Sequence, residues 1–143
     1  MGQEQDVPRT RQAEAELRTT ASPDEAYAAW ADPAGIAAWF VDAARGEAVA
    51  GGTMIWEWKD FGIEVPYRVL EADPGWRLVL AGPENVAPAG MIEITITRDG
   101  GTTVLRVVNS GFLDEAVWDD VFEDTRLGWI GALALLQQYL ERG

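Results

Sequence analysis

Histidine and cysteine are both missing from this sequence, so acid–base or metal chemistry would have to run on carboxylates, tyrosine or arginine. No disulfide, thiolate metal site or cofactor is expected. Glu57, Glu64, Arg68, Glu71, Glu93 and Arg106 alternate with apolar neighbours. To act as catalytic groups they would have to converge in a cleft with displaced pKa values. On alternating strands they are explained more simply by cross-strand pairing on a wet face. A bulge that shifted one strand would turn Arg68 or Arg106 inward, as an anchor for an acidic ligand. Tyr67 and Asn109 fall on the apolar parity of their strands, so each places a polar group in the interior, satisfied by backbone or used to orient a ligand.

The other unusual supply is aromatic. Seven tryptophans are many for a chain of 143 residues. Trp39, Trp56, Trp58, Trp118 and Trp129 would either offer ring faces to an apolar guest or fill the space between packed elements.

The elements that must position these residues are legible in order. Residues 1–11 are polar and without period, which predicts a disordered leader; 12–143 are predicted to form a single domain. Gln12 to Thr20 alternates as a half-buried strand. Ser22-Pro23-Asp24-Glu25 combines an N-cap, a first-turn proline and a capping-box glutamate, and Asp32-Pro33 repeats the device, so two short helices follow strand one. Short strands divided by turn residues come next: 43 to 49, 53 to 59 with Met54, Trp56 and Trp58 facing inward, 63 to 72, 76 to 80, 91 to 98, and 102 to 109. Gly82 to Gly90 is long for a hairpin and is the candidate for a loop over an opening. Asp114 to Arg142 reads as one long helix with Trp118, Val121, Phe122, Thr125, Trp129, Ala132, Leu133, Leu136 and Leu140 on one face. Acidic residues crowd its first turns, either as a solvated, dipole-compatible start or as a docking patch for a basic partner. The expected class is α+β: a curved antiparallel sheet of about seven strands wrapped around a long C-terminal helix.

Composition narrows the partners. A formal charge of −13 with a single lysine, Lys59, opposes nucleic acid and anionic lipid, so neither is an expected partner. No run of about eighteen apolar residues offers a membrane span, no secretory signal opens the chain, and cytoplasm is the default location. Oligomeric state is not readable from the sequence, and the alanine- and arginine-rich, lysine-poor composition suggests a bacterial source.

The order of elements, with several local strings, resembles the helix-grip superfamily of START domains, birch-pollen-allergen-like proteins and polyketide cyclases, also called SRPBCC. It is more similar to the activators of the heat-shock protein 90 ATPase and their stand-alone bacterial homologues. The strings are Ala21-Ser22-Pro23-Asp24-Glu25-Ala26-Tyr27 running into Trp30, Tyr67 to Leu80, Asn109-Ser110-Gly111-Phe112, and Gly128-Trp129 through Leu140, over about residues 13 to 141. Asn109 stands where the family frequently carries a histidine. The resemblance implies a helix-grip fold, whose members include carriers, enzymes and co-chaperones.

The expected function is binding of a small, largely apolar or aromatic molecule between sheet and C-terminal helix. Trp56, Trp58, Val69, Leu78, Ile94, Trp118, Phe122 and Trp129 would be walls, Tyr67 and Asn109 orienters, and Trp39, Phe40 and the Gly82 to Gly90 loop the mouth. The rivals are an interaction protein with a chaperone as partner and an enzyme of the cyclase or hydratase kind, which the missing histidine disfavours.

Overall fold

Ser22 turns the chain away from its first strand. Its hydroxyl accepts from the Glu25 backbone N–H at 3.1 Å, and the Glu25 carboxylate accepts from the Ser22 backbone N–H at 3.4 Å, closing the capping box ahead of Pro23. The computed structural model describes residues 10–83, 90–113 and 116–142, the side chains of Thr10, Phe112, Leu113 and Trp118 excepted. The predicted leader, apart from Thr10 and Arg11, the tip of the Gly82 to Gly90 loop, and Asp114 and Glu115 lie outside the described residues.

Strand β1 (Thr10–Thr19) leads into helices α1 (Pro23–Ala31) and α2 (Pro33–Trp39), then β2 (Ala43–Gly46), β3 (Thr53–Trp58), β4 (Ile63–Asp73), β5 (Arg77–Ala81), β6 (Met91–Asp99), β7 (Thr102–Leu113) and helix α3 (Asp119–Leu140). The seven strands form one antiparallel sheet in the order β1-β7-β6-β5-β4-β3-β2. β1 and β2 are therefore its two edges, and α1 and α2 carry the chain between them. Asp32 closes α1, donating its N–H to Ala28 O, and opens α2, accepting from Ile36 N; contrary to the sequence pattern, its carboxylate makes no cap bond. The corner is tight because Gly35 lies against the Ala28 carbonyl, where a Cβ would collide.

The core is a layer between the inward sheet face and the helices. Met54, Trp56, Val69, Leu78, Ile94 and Leu105 from the strands meet Trp30 and Ile36 from the short helices and Leu136 from α3, all essentially without solvent contact. The long helix rests chiefly on β1, where Gln137 Nε2 also donates to Arg18 O at 3.1 Å. On the opposite face Arg45 pairs with Glu57 and Glu64, Arg77 with Glu71 and Glu93, and Arg106 with Glu14, the wet cross-strand pairing expected there. β4 does bulge, but between Val69 and Glu71; Arg68 precedes the bulge and stays exposed, as does Arg106.

Two boundaries differ from the pattern. β7 runs on to Leu113 instead of stopping at Asn109, because Gly111 adopts φ +100° and lets the strand pass an irregularity and pair again as Arg11↔Phe112. α3 accordingly starts at Asp119, after a single 3-10 turn over Ala116–Trp118, and Val121 is exposed rather than in the buried stripe.

Candidate functional site

Pleating places Trp56 and Trp58 on one face of β3, and the neighbouring register brings Tyr67 of β4 opposite Met54 on that same face. Two strands on, Ile92 of β6 pairs with Asn109 of β7. α3 crosses above with Gly128 and Trp129 one helical turn after Thr125, and Phe40 closes the end of α2. Eight of these side chains and the Gly128 backbone line a cavity of about 250 Å³ between sheet and helix that opens to solvent.

Phe40 is the hub of the wall. Its ring stacks on Trp39 at 5.1 Å, meets Trp56 and Trp58 edge-on at 5.7 and 5.8 Å, and lies 5.5 Å from Trp129. Trp56 continues the cluster to Tyr67 at 4.5 Å. Such edge-on and offset contacts hold rings in fixed relative positions. Asn109 joins the floor to the helix: Trp129 Nε1 donates to Asn109 Oδ1 at 3.1 Å, and Asn109 Nδ2 donates to Met91 O at 3.1 Å. Burial pushes the Tyr67 hydroxyl up to about 12, so it is a neutral donor at physiological pH.

Of the residues expected at the site, Phe40, Trp56, Trp58, Tyr67, Asn109 and Trp129 meet around this cavity. Trp39 lies behind Phe40 rather than at the lining, its Nε1 bonded to Ala29 O at 2.9 Å. Val69, Leu78 and Ile94 are fully buried core. Phe122 is half-buried one turn before Thr125, with the Arg11 guanidinium 4.6 Å over its ring. The Trp118 side chain is outside the described residues. Ile92, Thr125 and Gly128 were not among the expected site residues; Ile92 shares the parity of Ile94, and Thr125 and Gly128 precede Trp129 by four and one positions, so helical spacing held the signal.

A larger hollow, of about 550 Å³, lies on the outward face, where Thr53, Arg68, Ala81 and Met91 stand in one cross-strand row. Among the described residues no group of three or more acidic side chains is placed to hold a metal ion, and no helix is long and apolar enough to cross a membrane.

Residues 20–141 match the family described as activator of Hsp90 ATPase homolog 1-like protein. The chain belongs to that family. No protein with a curated description matches the sequence. Among solved structures, the Aha1 dimer from Colwellia psychrerythraea superposes with a TM-score of 0.80 at 19% identity, over 92% of this chain and 96% of that one. Protein MLL2253 from Mesorhizobium loti gives 0.81 at 21%, over 92% and 98%. CalU16 from Micromonospora echinospora gives 0.73 at 19%, over 94% and 84%. At these identities the likeness is one of fold, and the fold is the helix-grip arrangement that the resemblance implied.

Proposed function

We propose that this family member binds a small, largely apolar or aromatic molecule in the cavity between the sheet and α3. The observation that carries the reading is the open space of about 250 Å³ ringed by Phe40, Trp56, Trp58, Tyr67 and Trp129, in a molecule whose neighbouring core is filled. Pockets for drug-sized ligands run from about 300 Å³ upward, so an occupant of one or two rings suits this volume. Tyr67 is the sole titratable group among the described lining residues, which gives an acid–base reaction no second group and favours binding over chemistry.

Intrinsic fluorescence, titrated with fatty acids, flavonoids, polyketide aromatics and sterols, tests this. Saturable quenching or a spectral shift at micromolar ligand, lost in Trp56→Ala and Trp129→Ala, is the expected result. A folded protein silent across the panel would count against it.

One observation favours a second reading, an interaction protein like the chaperone activators. Leu127, Ile130 and Leu135, about half exposed, lie on the outer side of α3, where they cover none of the core. Retention of the cell's ninety-kilodalton chaperone by the wild type, and its loss in Leu127→Ser/Ile130→Ser, would support that surface as the working one.

A further inference from the structure

A separate hollow of about 370 Å³ lies between the first turn of α1, the turn joining β4 to β5 and the end of β6, and it shares no lining residue with the aromatic cavity. Trp76 forms one wall. Its carbonyl accepts from Ile96 N at 2.8 Å, which fixes the turn against β6, yet the residue is 66% exposed. Pro23 and Pro74 extend that apolar surface. Two charges of opposite sign line the same space. Asp24, in the first turn of α1, stands against the β4–β5 turn: a Cβ at Gly75 would lie 2.9 Å from its Oδ1. Arg98 follows Ile96 at the spacing that returns a side chain to the same face of β6, the face on which Ile96 joins the core with α1. Arg18, Arg45, Arg77, Arg106 and Arg126 each meet a carboxylate within this chain. Arg98 does not, and neither it nor Asp24 has a side-chain hydrogen bond or ion pair among the described residues. A carboxylate and a guanidinium thus line one hollow without reaching each other.

We infer that this hollow binds an aromatic α-amino acid in its zwitterionic form, with the ammonium at Asp24, the carboxylate at Arg98 and the ring against Trp76. The charges decide the class. An amine alone answers Asp24 and is opposed by Arg98. A carboxylate alone answers Arg98 and is opposed by Asp24 and by the net charge of −13. A zwitterion answers both groups and adds no net charge. The planar guanidinium takes a carboxylate in a fixed orientation, and the exposed indole gives an aromatic side chain a face to pack on. The site is independent of the cavity reading, because no charged side chain is among the described residues that line the cavity.

Three compounds of matched shape separate these cases: L-phenylalanine, phenethylamine and 3-phenylpropanoate, titrated at neutral pH into the ¹⁵N-labelled full chain and read at the Trp76 indole cross-peak. Phenylalanine should shift that peak saturably. Each single-charge analogue should bind at least about threefold more weakly, the factor that one exposed charge pair gives. Asp24 and Arg98 are both exposed, so Asp24→Asn and Arg98→Gln should fold as the wild type does. Each should weaken phenylalanine by roughly three- to tenfold, toward the level of the single-charge analogues. The Trp56, Trp58 and Trp129 peaks should stay in place. Equal binding of the three compounds, no saturable shift at Trp76, or full phenylalanine affinity in both variants would overturn the inference. Phenylalanine that moved Trp56, Trp58 and Trp129 in place of Trp76 would overturn it too, by assigning the amino acid to the cavity.

Discussion

Trp129 Nε1 and Asn109 Oδ1 lie 3.1 Å apart, a buried bond that fixes the middle of α3 over β7 at the edge of the cavity. The same asparagine holds the Met91 carbonyl through Nδ2. Its position on the apolar parity of β7 is thus answered from within the protein, with one amide satisfying a donor on the helix and an acceptor on β6. Asn109→Ala would leave the indole N–H without its acceptor and take one donor from the Met91 carbonyl, so a loss of about 1–3 kcal/mol is expected in denaturant unfolding. Trp129→Phe in the Asn109→Ala background should cost less than in the wild type, because the donor is then already without its acceptor; a double-mutant cycle measures that coupling.

Gly128 and Gly131 interrupt the best helix of the chain, and a Cβ at either would meet nothing within 4 Å. Glycine in an exposed helix interior is about 1 kcal/mol less favourable than alanine. Gly131→Ala should therefore raise the unfolding midpoint and leave ligand affinity unchanged. Gly128 lines the cavity. Gly128→Ala should stabilise similarly while narrowing the site, so that stability and affinity move in opposite directions.

Gly35 gives the contrary case. A methyl there would collide with the Ala28 carbonyl and force α1 and α2 apart. Gly35→Ala should destabilise by about 1–3 kcal/mol, the usual cost of overpacking. Because α2 carries Phe40 at its end, the variant should also weaken ligand binding in the fraction that stays folded.

Tyr67 predicts an alkaline limb. Its hydroxyl is held at about 12 in the folded protein against 10 in the unfolded chain, so between those values the folded state keeps a proton that the unfolded state has lost. Stability is unaffected by this group below pH 10 and falls as pH rises from 10 toward 12, by on the order of 1 kcal/mol per pH unit. Tyr67→Phe should make that limb shallower, leaving the part that Tyr27 contributes. In the wild type, tyrosinate absorbance near 295 nm should show Tyr67 and Tyr27, whose hydroxyl burial and then Asp73 also push up, titrating later than an ordinary tyrosine, and Tyr67→Phe should remove one of the two late groups.

Much of this was legible in the residues. The Ile92, Ile94 and Ile96 alternation and the Ser22 capping box each marked an element that formed where it was expected. Where the pattern failed, a local signal was ambiguous. Ser110-Gly111 looks like a turn, yet Gly111 carries the strand onward because its positive φ absorbs an irregularity. Trp76 looked like the first residue of a strand, but it stands in the turn before β5, 66% exposed. The site was legible to the extent that strand parity decides it. Parity places Trp56, Val69, Leu78 and Ile94 on the inward face alike. It does not say where along each strand the helix stands off, and that distance separates the cavity wall from the filled core.

The seven tryptophans make the most direct measurement possible, since each indole N–H gives its own proton–nitrogen cross-peak. With ¹⁵N-labelled protein and 2-acetylnaphthalene, the resonances of Trp56, Trp58 and Trp129 should move together and saturate at one dissociation constant. Trp76, exposed in the turn between β4 and β5 and remote from the cavity lining, should stay in place. A titration in which Trp76 moved and Trp56, Trp58 and Trp129 did not would contradict a ligand site between the sheet and the C-terminal helix.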